Sequence, residues 1–179
     1  MTSEGTSKFW TDLLRLPGFA VVHVREDTNP ACYTLTVVPE HPIGVCPQCA
    51  RTTAVIKQHR TRERIHDLPI GDHLVELTVR VGQFECHHCG RCFTPAVDFV
   101  VEGAHATERL LDRIAELIRH SDVANAARFF ALPEKTLEGW YYAHIERQQQ
   151  RAARAPAEPI RRIGIDELSL KKSTDSSSP

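Results

Sequence analysis

Two short cysteine pairs, Cys46-Pro-Gln-Cys49 and Cys86-His-His-Cys89, constrain this chain more than any other feature. A two-residue gap lets one tight turn aim two sulfurs at one ion. Two such turns close the tetrahedral four-thiolate shell that zinc takes at about 2.3 Å per bond. Residues 50–85 must then leave and return to one point, the path of a β-hairpin inserted in a zinc ribbon. A closed four-thiolate shell keeps no open position for water, so the expected zinc is structural rather than catalytic. Enzymatic uses of the cysteines fail on order and number. A zinc deaminase carries His-x-Glu ahead of its Pro-Cys-x-x-Cys, whereas His144-Ile145-Glu146 follows the cysteines here. A thioredoxin-like dithiol needs one pair beside a βαβ unit, not two pairs closing on each other.

The thiols are expected to be free. No apolar run approaches the ~20 residues of a membrane span, and residues 1–8 are polar rather than a signal core. The chain therefore reads as cytoplasmic, without a membrane partner, and a reducing compartment keeps its six cysteines out of disulfides. Cys46, Cys49, Cys86 and Cys89 are the favoured ligands. Cys92 makes a further Cys-x-x-Cys with Cys89, and His87 and His88 are adjacent nitrogen donors, so spacing alone leaves open that one of them replaces a ligand. The simplest arrangement puts both histidines in water on the turn, with Cys92 and Cys32 as small buried residues.

Hydrophobic periodicity divides the rest. Phe9, Leu13 and Leu16 recur at helical spacing before Pro17-Gly18. Residues 20–25 and 33–38 flank a polar turn and suggest a hairpin. Residues 75–81 alternate apolar with Glu76, Thr78 and Arg80, a strand with one buried face. After Gly103 the period becomes helical: Leu110, Leu111, Ile114, Ala115, Leu117 and Ile118 form one stripe, with Thr107 placed to cap it. Ser121 can cap a second helix bearing Ala124, Ala127 and Phe130, and a third begins near Glu134 beyond Ala131-Leu132-Pro133. A small-residue helix, a break and a further helix make the shape of a helix-turn-helix, with Leu137 and Trp140 inward.

Hydrophobic residues make up 41% of the 179, enough for one or two small domains. The net charge of -1 hides a local imbalance. Arg51, Lys57, Arg60, Arg62 and Arg64 stand against Glu63 alone in residues 51–64. On a strand, Arg60, Arg62 and Arg64 would share one face, with His59 and Ile65 on the other. Such a cluster attracts phosphate, or else forms a solvated face offsetting the negative charge of four thiolates on one divalent ion. Residues 122–146 lean the other way: Arg128 and Lys135 face Asp122, Glu134, Glu138 and Glu146. Arg128, Lys135 and Thr136 are the candidate DNA contacts there.

The order of these motifs resembles the amino-terminal half of transposases of the ISL-three insertion-sequence family. The resemblance runs from about Leu14 to Lys172 and rests on Cys46-Pro-Gln-Cys49, the Arg-rich run into Ile65-His66-Asp67-Leu68-Pro69, Gln83-Phe84-Glu85-Cys86, and Cys89-Gly90-Arg91-Cys92-Phe93-Thr94. Ala126-Ala127-Arg128 and Lys135-Thr136-Leu137 match its helix-turn-helix, although Ala131 and Pro133 stand where a Gly and a capping Ser are usual. Ile165-Asp166-Glu167 fits the opening of its RNase-H-like catalytic domain. The resemblance implies binding to terminal inverted repeats and makes Asp166 the first carboxylate of an acidic triad that would hold divalent ions. Magnesium would be needed only with a complete catalytic domain. With 13 residues after Asp166, the expectation is a truncated copy that neither cuts nor joins DNA alone.

The expected fold class is α+β, a zinc-ribbon β domain followed by a three-helix helix-turn-helix unit. Its parts are an amino-terminal helix and hairpin (1–45), the ribbon (46–100), the helix-turn-helix domain (104–147), a linker (148–159), a remnant strand (160–172) and a disordered tail (173–179). Expected partners are double-stranded DNA and a full-length transposase or a second copy. The rival reading is a protein-interaction or transcription-regulatory module.

Overall fold

A computed structural model describes residues 4–154. Asp166, the expected remnant strand, the tail and the last part of the expected linker lie outside the described residues. The described chain runs α1 (Glu4–Leu14), β1 (Phe19–Thr28), β2 (Ala31–Pro39), β3 (Gly44–Val45), β4 (Thr52–Thr53), β5 (Ile56–Ile70), β6 (His73–Glu85), β7 (Cys92–Phe93), α2 (Glu108–His120), α3 (Val123–Phe130) and α4 (Glu134–Arg154). It is mixed α+β. No described helix is long and apolar enough to cross a membrane.

One sheet organises the first half, in the order β1-β2-β6-β5, with β7 also on β6. β1 and β2 form the expected hairpin, but their pairing continues to Thr28 opposite Ala31, leaving only Asn29-Pro30 in the turn. β5 and β6 form a long hairpin that turns at Gly71 and carries both knuckles at its open end. β2 lies parallel to β6, from Cys32 opposite Leu74 to Val37 opposite Val79. The sheet therefore passes without a break across the boundary expected at residue 45. The alternation of β6 explains this: Val75, Leu77, Val79 and Val81 need cover, and Leu35 and Val37 on β2 extend the same apolar face. Leu14, Leu16 and Val97 close that core, with Trp10 and Phe99 at its margin.

The helical half has its own core of Leu110, Leu111, Ile114, Ala126, Ala127, Phe130 and Leu137, flanked by Trp140. Thr107 caps α2 by accepting from the Leu110 N–H at 3.4 Å. The cap of α3 is Asp122, not Ser121: its carboxylate accepts from the Asn125 N–H at 2.7 Å, while Ser121 closes the C-terminus of α2. The carboxylate fits better because α2 and α3 are joined so tightly that Ser121 is spent ending the first helix. Ala131 ends α3 with φ of 50°, a left-handed conformation that favours glycine. α4 runs through residue 154, so residues 148–154, expected as linker, are helical.

The two halves meet at Asp67. Its side chain is fully buried on β5 and accepts from Thr107 Oγ1 at 2.7 Å, from Arg109 Nε at 2.7 Å and from a second Arg109 nitrogen. Arg109 also donates to the Leu14 carbonyl at 2.6 Å. Backbone bonds reinforce the joint: the His66 N–H donates to the His105 carbonyl at 2.8 Å and the Thr107 N–H to the His66 carbonyl at 2.9 Å. One carboxylate thus ties the sheet, the end of α1 and the start of α2 together. His66 and Trp140 complete the contact, ring centres 5.9 Å apart.

Candidate metal centre and nucleic-acid interface

The two knuckles have the same backbone plan. In the first, the Cys46 N–H donates to the Arg51 carbonyl at 2.9 Å and the Ala50 N–H to the Cys46 carbonyl at 2.8 Å. In the second, Cys86 donates to Arg91 at 2.9 Å and Gly90 to Cys86 at 2.8 Å. Each turn ends on a left-handed residue, Ala50 at φ 57° and Gly90 at φ 69°. Glycine adopts that conformation freely, whereas alanine strains to do so. Behind the turns, Phe84 and Phe93 stack at 5.9 Å, and Gly44 passes so close that a Cβ there would lie 2.8 Å from the Phe84 ring.

These turns bring four sulfurs together. The Sγ atoms of Cys46, Cys49, Cys86 and Cys89 all lie within 4.8 Å of one another. Cys46 is 3.6 Å from Cys89, and Cys49 is 3.6 Å from Cys86. A tetrahedron with zinc–sulfur bonds of about 2.3 Å has edges of about 3.8 Å, so the donor set fits a tetrahedral thiophilic ion. The backbone prepares the anionic form: N–H groups of Cys89 and His88 aimed at Cys86 lower its thiol to about 6.

His87 and His88 are exposed on the turn, as expected. Cys32 is buried in β2. Cys92 is exposed, contrary to expectation. The register explains it: Phe93 opposes Phe84 and enters the small core, so its neighbour on β7 must face out. Lys57 donates to the Cys92 sulfur at 3.5 Å and lies 3.8 Å from Glu85.

The Arg-rich strand also departs from its expected arrangement. Arg60 opposes Val81 and Arg62 opposes Val79, but Ile65 opposes Leu77, so two residues, Glu63 and Arg64, stand against Thr78 alone. Arg64 takes φ of 55° in this bulge. A bulge shifts the alternation by one residue, and it places Ile65 on the same side as Arg60 and Arg62 rather than across from them. Ile65 is thereby buried in the core, and Arg64 leaves the row. Arg51, Lys57, Arg60, Arg62 and Arg64 are all exposed.

Arg128, on α3, is exposed and bonded to Asn125, while Lys135 and Thr136 are exposed at the start of α4. Arg62, Arg147 and Arg151 line a groove of about 500 Å³ together with residues 94–98, 100–102 and Glu108, to which Arg151 is bonded. Sequence reasoning missed Arg147 and Arg151; their spacing of four on a polar helix was the available signal.

The described residues thus join a four-thiol ribbon carrying a basic strand to a helical unit through Asp67. The comparisons agree in both halves. Residues 43–89 match the zinc-finger of transposase IS204/IS1001/IS1096/IS1165, and residues 95–145 match the helix-turn-helix domain of transposase family ISL3. Cys92 falls between the two matched stretches. The chain is also 26% identical over 159 residues to the transposase for insertion sequence element IS1001 of Bordetella parapertussis, which covers 87% of this chain and 37% of that protein. No solved structure matches the chain significantly. Both matched stretches are domains of ISL3-family transposases, so residues 43–145 carry the zinc-ribbon and helix-turn-helix region of such a transposase.

Proposed function

We propose that this chain binds double-stranded DNA as a zinc-dependent module, its target the terminal inverted repeats of an insertion sequence. One structural zinc held by Cys46, Cys49, Cys86 and Cys89 fixes the open end of the β5–β6 hairpin. Arg51, Lys57, Arg60, Arg62 and Arg64 along and beside that hairpin meet phosphates, and Arg128, Lys135 and Thr136 meet the duplex from the helical half. The reading is carried by one observation: Asp67 binds the basic strand and the helix-turn-helix into a single body, so both can address one duplex.

Metal content comes first in the test: one zinc per chain is expected. Anisotropy titrations of labelled terminal-repeat and scrambled duplexes at several salt concentrations follow. Each phosphate contact contributes about one unit to the salt slope, so Arg60→Gln with Arg62→Gln should flatten it by about two units and weaken binding to both duplexes. An affinity indifferent to salt would reject the DNA reading and favour an apolar protein partner.

A further inference from the structure

The groove between β5, residues 94–102 and the later turns of α4 holds polar groups that the fold leaves unmatched. Arg151 spends its guanidinium on Glu108. Arg147 has no such outlet: its Nη2 is shielded from solvent and has no hydrogen-bond partner. A cationic N–H buried without an acceptor gives up its hydration for nothing in return. Asp98 and Glu102 line the same groove, and among the described residues neither they nor Arg62 makes a side-chain hydrogen bond or ion pair. Unpaired donors and unpaired acceptors therefore share one space of about 500 Å³, within the range of about 300–1,000 Å³ usual for small-molecule sites.

That mismatch defines what would fill the groove. A guanidinium only donates and an ionised carboxylate only accepts, so a ligand must bring acceptors for the arginines and donors for the acids. Phosphate oxygens are the acceptors that match a guanidinium fork. The backbone of a DNA duplex brings phosphates without donors, because its sugar hydroxyls are esterified, and Asp98 and Glu102 repel it. A mononucleotide brings both, a phosphate at one end of its sugar and free hydroxyls at the other. Pro95, Val100 and Val101 add apolar wall for its base.

We propose that this groove is a separate site for a nucleoside monophosphate, whose phosphate is held by Arg62 and Arg147 and whose sugar hydroxyls donate to Asp98 and Glu102. Arg62 lies on β5 and Arg147 on α4, so the ligand bridges the two halves of the molecule. The site does not rest on the duplex-binding reading; the two share Arg62 alone.

The test titrates the zinc-loaded full chain calorimetrically with adenosine monophosphate, adenosine, inorganic phosphate and a 5′-phosphorylated deoxydinucleotide, whose first sugar has no free hydroxyl. Adenosine monophosphate should bind about tenfold or more tighter than each of the other three, one decade in Kd. Arg147→Met keeps the length of the side chain and removes the unpartnered nitrogen. It should weaken adenosine monophosphate about tenfold while leaving the thermal midpoint of the free protein unchanged or higher, where a merely structural arginine would lower it. Asp98→Asn with Glu102→Gln should weaken adenosine monophosphate and strengthen inorganic phosphate, since repulsion is removed together with the acceptors. No binding of adenosine monophosphate at millimolar concentration, or equal binding by wild type and Arg147→Met, would overturn the site. Inorganic phosphate or the dinucleotide binding as tightly as the mononucleotide would overturn the pairing of hydroxyls with the acids. Arg147→Met should not alter the salt slope for duplex DNA, so failure of this site and failure of duplex binding are read separately.

Discussion

The ribbon and the helical unit are similar in size and opposite in how they hold together. Behind its knuckles the ribbon's hydrophobic cluster is small: Cys46, Phe84, Cys86 and Phe93, with Cys49 and Ile56 at the edge. The helical unit is built on a cluster of nine buried hydrophobic residues, among them Leu110, Leu111, Ile114 and Leu137. A core of two phenylalanines cannot offset the entropy of ordering two knuckles and a hairpin end, so the ribbon depends on a cross-link. Helices with an apolar stripe fold on hydrophobic burial alone. The contrast in charge runs along the same line: the basic surplus sits on the metal-dependent part and the acidic surplus on the part that needs no metal.

The largest effect should come from removing the cross-link. Cys86→Ser takes away the thiol most readily deprotonated, and structural zinc binding contributes on the order of 10 kcal/mol to a small zinc fold. The ribbon should lose its zinc and its order, while helical circular dichroism from α2 to α4 persists. Cys32→Ser, far from the knuckles on β2, should keep full zinc occupancy. Full metal occupancy in Cys86→Ser would mean that Cys92 or a turn histidine can take its place.

Next in size is the latch. Asp67→Ala strands the Arg109 guanidinium and the Thr107 hydroxyl at the joint, and breaking a buried pair costs about 3 kcal/mol. Trp10 packs on the sheet core and Trp140 on the helical core, so Trp10→Phe and Trp140→Phe leave one reporter in each half. Denaturant unfolding of the zinc-loaded protein should be coincident by both reporters in an otherwise wild-type background. It should split into two transitions with Asp67→Ala. A single shifted transition would show that apolar packing, not the carboxylate, couples the halves.

Much of this contrast was legible in the sequence, because it rests on local patterns. The knuckle spacing located the sulfurs, the strict alternation at residues 75–81 located β6, and the 3.6-residue stripe located α2. What escaped was long-range or depended on a neighbour. The parallel pairing of β2 with β6 joins residues about forty apart in sequence and leaves no local mark. The row Arg60, Arg62, Arg64 looked continuous because nothing in it announces that Ile65 must reach the core, which is what forces the bulge. Cys92 looked buried until β7 paired with β6 and assigned the inward position to Phe93. Asp67 was visible only as part of a motif, since its partners Thr107 and Arg109 lie across the fold.

Smaller changes sharpen the comparison by acting on each half alone. Ala50 and Ala131 both sit at positive φ, where a Cβ costs about 1 kcal/mol that glycine avoids. Ala131→Gly should stabilise the helical unit by about that amount whether or not zinc is present. Ala50→Gly should raise stability only with zinc, because the knuckle has no fixed geometry without its ion. Thermal melts with and without a chelator distinguish the two. A gain from Ala50→Gly that survives the chelator would show that the first knuckle is ordered by its backbone hydrogen bonds.

The smallest effect separates the halves by pH. Glu108, in the first turn of α2, bonds to Arg151 near the end of α4, and that bond holds its carboxyl below the ordinary 4.5 despite opposing burial. A group whose pKa is lower in the folded state stabilises that state when ionised, so the contribution is present above about pH 4.5 and disappears as the pH falls through the lowered value. The Arg151 side chain is 65% exposed and that of Glu108 30%, so screening limits the pair to less than about 1 kcal/mol. Glu108→Gln should therefore be slightly less stable than wild type at neutral pH, with the gap closing below pH 4.5. Acid also protonates the knuckle thiolates and releases their metal, which would mask so small a term in any whole-protein signal. Followed through Trp140, with Trp10 replaced by Phe, the helical unit reports its own change. A gap that stayed constant down to low pH would show that Glu108 acts through packing on α4 rather than through its charge.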